Sequence, residues 1–110
     1  MAELSQETEQ KIAQLQLYEK SLQNILMQKQ QFQTQLIETE SALKELKTTK
    51  EAYKIVGNIM VASNKDDLDK DLTSKKEANT LRVKTLEKQE NQIKEKAKKL
   101  QEEVSKQIKE

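Results

Sequence analysis

The chain is predicted to be mainly α: a long antiparallel two-helix coiled coil with a short β-hairpin at its base, in a sheet shared with other chains. Three observations carry this. Apolar residues recur every seven positions in two long stretches. Between those stretches the period falls to two, over Tyr53-Lys54-Ile55-Val56-Gly57-Asn58-Ile59-Met60-Val61-Ala62. Proline is absent, so nothing forces a break within either helix.

Composition supports the same class. Of 110 residues, 34% are hydrophobic, 35% charged and 3% aromatic, too little apolar surface for an ordinary globular core. Disorder competes for so charged a chain, but the apolar residues are periodic and sit among strong helix formers. One domain spanning residues 1–110 suits this length.

The first helix is placed at about residues 5–50. Ser5 is a suitable N-cap, with Glu7 in the first turn. Leu15, Leu22, Leu36 and Leu43 repeat by sevens, and Tyr18, Ile25, Phe32 and Leu46 take the companion seam position. Lys29 and Thr39 interrupt the seam, as register-setting polar residues often do. Ile12, Leu26 and Ile37 widen the apolar stripe.

The β segment follows, at residues 53–72. With period two, Tyr53, Ile55, Ile59 and Val61 share one face with Gly57, and Val56, Met60 and Ala62 the other. Both faces are apolar. The helices can cover one at most, so the second face and the free edge call for another chain. An isolated glycine in a strand marks a bulge or a close backbone approach, which makes Gly57 structural. Ser63-Asn64-Lys65-Asp66-Asp67 reads as a turn. Leu68 to Leu72 reads as a short return strand, although its spacing also fits one helical turn.

The second helix is placed at residues 74–108. Ser74 and Glu77 have capping-box spacing. Leu86, Ile93 and Leu100 repeat by seven, accompanied by Val83, Ala97 and Val104. Glu90 with Lys94, Glu95 with Lys99, and Glu102 with Lys106 are spaced as pairs on an exposed face. Helices flanking a hairpin fold back antiparallel, which brings both chain ends to the free tip of an arm.

Catalysis is not indicated. The chain has no histidine or cysteine, and one glycine cannot build a phosphate-cradling loop, so neither an enzyme nor a cofactor is expected. The acidic run Asp66, Asp67, Asp69, Asp71 lacks the glycine and downstream glutamate of a calcium loop. Lys94, Lys96, Lys98 and Lys99 alternate with acids and lack aromatic neighbours, and the net charge is only +1, so no nucleic-acid partner is expected. The longest apolar run, Ile59 to Ala62, is too short to cross a bilayer, and the N-terminus has no signal-peptide pattern. A cytoplasmic protein without a membrane partner is the expectation.

Helix, hairpin and helix, with Tyr53-Lys54-Ile55-Val56-Gly57 opening the hairpin, resemble a beta-class prefoldin subunit. The glutamine-rich stretch Gln28-Lys29-Gln30-Gln31 and the run Leu81-Arg82-Val83 to Lys88-Gln89-Glu90-Asn91-Gln92-Ile93 add to the likeness, which covers essentially the whole chain. Alpha-class subunits carry two hairpins, and there is room for one here. The acidic segment Asp66 to Asp71 departs from the family pattern. The resemblance implies a hexamer of two alpha and four beta subunits, of archaeal type, with hairpins joined in an oligomeric β-barrel. It implies ATP-independent holding of unfolded proteins at coiled-coil tips and their delivery to a group II chaperonin.

In that frame Tyr53, Ile55, Val56, Gly57, Ile59, Met60, Val61, Leu68 and Leu72 are the expected oligomerisation residues. Leu4, Ile12, Leu15, Leu100, Val104 and Ile108 are the expected client-binding residues, because two helices cannot bury six apolar side chains near fraying ends. Ile12 and Ile108 fall beside the seam. The residues alone also fit a structural coiled-coil adaptor that binds one folded partner by helix pairing.

Overall fold

A computed structural model describes residues 5–109. The element order is α1 (Gln6–Leu46), β1 (Ala52–Val56), β2 (Ile59–Ser63) and α2 (Lys65–Lys109). The expected Leu4 contact lies outside the described residues.

Helix α1 starts where its cap predicts: the Thr8 backbone N–H donates to Ser5 Oγ at 3.0 Å. Glu7 and Glu9 set negative charge against the helix N-terminus. The helix stops at Leu46, not near Lys50, because the next residues offer the backbone other partners. Thr48 Oγ1 donates to the Glu45 carbonyl at 3.3 Å and Thr49 Oγ1 to the Glu51 carbonyl at 3.0 Å.

The hairpin is tighter and earlier than expected. β1 and β2 pair antiparallel from Ala52 opposite Ser63 to Val56 opposite Ile59. The ten-residue segment is therefore both strands, not one. Gly57 and Asn58 are its two-residue turn, with φ +60° at Gly57 and no positive φ at Asn58, the type II′ pattern whose twist matches the flanking strands. A Cβ at Gly57 would meet nothing within 4 Å, so this glycine serves a turn and not a close approach.

Leu68 to Leu72 is helix, not return strand, and the capping box at Ser74 and Glu77 is not used. Asn64 caps α2 instead: its Oδ1 accepts from the Asp66 N–H at 2.8 Å, and its carbonyl from the Leu68 N–H at 3.0 Å. Asp66 and Asp67 in the first turn favour that start electrostatically.

The chain packs as two compact units, each containing part of both helices. One draws on the chain up to Lys29 and on residues from Thr85 onward; the other is Gln30–Lys84. In the first, Ile25, Leu86 and Val104 are buried. Thr8 Oγ1 donates to Gln107 Oε1 at 2.6 Å, and Lys29 Nζ meets Glu90 Oε1 at 3.3 Å, an antiparallel order. In the second, Leu46 and Val83 are buried with Thr39 and Asn79. Asn79 Nδ2 donates to Gln35 Oε1 at 3.3 Å, and Arg82 stacks over Phe32 at 5.3 Å. Glu90 is thus a seam residue, although it also approaches Lys94 at 3.8 Å.

Candidate functional site: the hairpin and the terminal helix ends

Residues directly opposite on paired strands share a face. The register therefore groups Tyr53, Ala62, Ile55 and Met60 on one side of the sheet, and Lys54, Val61, Val56 and Ile59 on the other. This corrects the expected grouping, because the turn reverses the chain between Val56 and Ile59. Both faces stay apolar and open. Ile55 is 70% exposed, Ile59 and Met60 each 65%, and Tyr53, Val56 and Val61 are exposed as well.

Two strands alone are marginal in water. Here each strand's outer edge has no strand partner within the described chain. Local contacts pin the sheet at its foot. Tyr53 donates its hydroxyl to Glu51 Oε2 at 2.8 Å, and that hydrogen bond holds the phenol above its usual pKa. Lys54 approaches Asp71 of α2 at 3.9 Å. Beside the sheet lies an open groove of about 710 Å³, lined by Leu46 of α1, Ile55 of β1 and Leu68 and Leu72 of α2 among others. Leu68 and Leu72 thus adjoin the hairpin as half-buried helix residues, not as sheet residues.

The expected client residues separate. Val104 is only 7% exposed and belongs to the packed seam, so it presents no surface. Leu15 and Leu100, also on heptad positions, are half-buried, and so is Ile12. Ile108 is 56% exposed. Nearby, Lys11 is held between Glu103 at 3.3 Å and Glu7 at 3.4 Å. Partial burial lowers its pKa, but the bonds to the two carboxylates outweigh this and leave it raised. Leu17, Met27 and Leu81, none of them among the expected client-binding residues, are also exposed apolar residues. Each stands off the heptad seam, the one signal that marks them.

Among the described residues, no cluster of three or more acidic, histidine or cysteine side chains could hold a metal. No helix there is long and apolar enough to cross a membrane.

The comparisons with known proteins agree with this architecture. The sequence profile of the family described as Prefoldin subunit matches residues 9–110. The prefoldin subunit beta of Archaeoglobus fulgidus is 41% identical over 98 residues, covering 86% of this chain and 84% of that protein. Its counterpart from Methanococcoides burtonii is 32% identical over 106 residues, covering 94% and 91%. The crystal structure of the prefoldin beta subunit from Thermococcus strain KS-1 superposes with a TM-score of 0.88 at 31% identity, covering 96% of both chains. Prefoldins are chaperones, not enzymes. With two long helices, one hairpin between them and relatives named as beta subunits, this chain belongs to the prefoldin family, in its beta class.

Proposed function

We propose that this chain is one subunit of a hetero-oligomeric, ATP-independent holdase in the cytoplasm. It joins an alpha-class partner through the hairpin, in a hexamer of two alpha and four beta subunits with a shared β-barrel. The assembly captures unfolded polypeptides and passes them to a group II chaperonin. The observation that carries this is the hairpin: six large apolar side chains stand open on both its faces, more than a lone two-stranded sheet can cover. Client contact falls to exposed apolar residues in the terminal unit, Ile108 foremost, with half-buried Ile12 beside it. Shallow patches repeated over several subunits suit weak, multivalent capture.

The test mixes the chain with an alpha-class prefoldin subunit and measures native mass, then aggregation of several unrelated denatured proteins with and without ATP. A hexamer that suppresses aggregation regardless of ATP is expected. Ile55→Asp buries a charge in the assembly and should reduce its mass while keeping helicity. Ile12→Ser with Ile108→Ser should keep the mass but weaken suppression. An intact hexamer with Ile55→Asp overturns the assembly surface. Full suppression by the double variant overturns the client residues.

A further inference from the structure

The assembly reading gives one side chain of the sheet a consequence of its own. The chain has three methionines and no cysteine. Met60 is the one in the hairpin, 65% exposed, opposite Ile55 on the face it shares with Tyr53 and Ala62. Met27, 68% exposed on α1, is equally open but lies outside the sheet. A thioether is apolar and packs readily against aliphatic and aromatic neighbours. A sulfoxide is polar, chiral and needs a hydrogen-bond donor when buried. The face around Met60 offers none to spare. Ile55 and Ala62 have no polar side-chain atom, and the Tyr53 hydroxyl already donates to Glu51 at 2.8 Å.

We infer that Met60 is an oxidation-sensitive modification site through which peroxide admits only the reduced subunit to the assembly. The inference rests on the proposed role of the hairpin in assembly. The step is a two-electron oxygen transfer. The Met60 sulfur attacks one peroxide oxygen, the O–O bond breaks, an S–O bond forms, and the peroxide is reduced to water. The free subunit presents the sulfur to oxidant and to methionine sulfoxide reductase alike, so the block is reversible there. Once the face is covered by partner strands, the same sulfur is shielded. The unassembled pool is therefore sensitive and the assembled one is not, whereas Met27 reports oxidant exposure in both.

The experiment treats the chain with hydrogen peroxide before and after mixing with an alpha-class subunit, with Met27 sulfoxide as the internal measure of exposure in both samples. Peptide mass spectrometry locates the added oxygen, and native mass reports assembly. Expected results are Met60 sulfoxide in the free chain, a loss of about tenfold or more in apparent affinity for the partner, recovery after reductase treatment, and slow oxidation of Met60 once assembled. The Met60→Leu chain should assemble after peroxide as it does before. Normal assembly of a chain verified as Met60 sulfoxide overturns the inference, as does equally fast oxidation of Met60 in the free and assembled states. Failure of the untreated chain to assemble is a different result: it overturns the assembly reading, and this inference with it.

Discussion

Gly57 is the residue whose chemistry the fold most needs. Its φ of +60° costs an L side chain roughly 1–2 kcal/mol in local crowding, while the space around it is empty. The cost of substitution is thus conformational and not steric. Gly57→Ala should weaken partner binding about tenfold and Gly57→Val more, while Ala62→Val leaves binding nearly unchanged and helicity holds in all three. Titration with an alpha-class subunit, alongside far-UV circular dichroism, checks this. Equal binding by Gly57→Val and Ala62→Val would show that the turn tolerates any residue. Sequence marks the position as a bulge or close approach, whereas the fold uses it as the first residue of a turn. Gly57-Asn58 between two apolar runs is a hairpin signal, but Ile55-Val56 and Ile59-Met60 on either side of it read as one continuous strand.

Among the elements, the helical seam was the most legible. Heptad spacing alone selects Ile25, Leu46, Val83, Leu86 and Val104, all buried in the fold. The same spacing also sets charges on the seam, Lys29 between Leu22 and Leu36 and Glu90 between Val83 and Ala97. Glu90 reads as surface because Lys94 stands four residues on, yet its side chain is 14% exposed and faces Lys29 at 3.3 Å. Hairpin boundaries were less legible for a related reason: Leu68 and Leu72 fit either period, and only the Asn64 cap decides for helix. The seam pair yields a prediction. Lys29→Ala leaves Glu90 beside Lys94 at 3.8 Å as its remaining partner and should cost ~1–2 kcal/mol. Replacing both Lys29 and Glu90 by leucine should restore or exceed the original melting temperature. A double variant as unstable as the single one would mean the pair itself contributes net stability.

For the molecule as a whole, the resemblance and the open hairpin point to the same assembly, but no feature of one chain names the clients. That part was illegible because the capture of unfolded chains proposed above would need apolar exposure and mobility, not a motif. The two-residue turn at Gly57-Asn58 has a further consequence, in the order of folding events. The polar links between the helices span 44 residues at Asn79–Gln35, 61 at Lys29–Glu90 and 99 at Thr8–Gln107. Closing the largest loop first would carry the greatest entropic cost, whereas pairing outward from the turn adds only a few residues at each step. Asn79→Ala should therefore slow refolding, while Thr8→Ala should chiefly accelerate unfolding, and stopped-flow chevrons on the free chain separate the two. A chain that closes like a zipper from its midpoint has its outermost rungs made last and opened first, so the terminal turns around Ile12 and Ile108 should be the first to open while the rest stays shut.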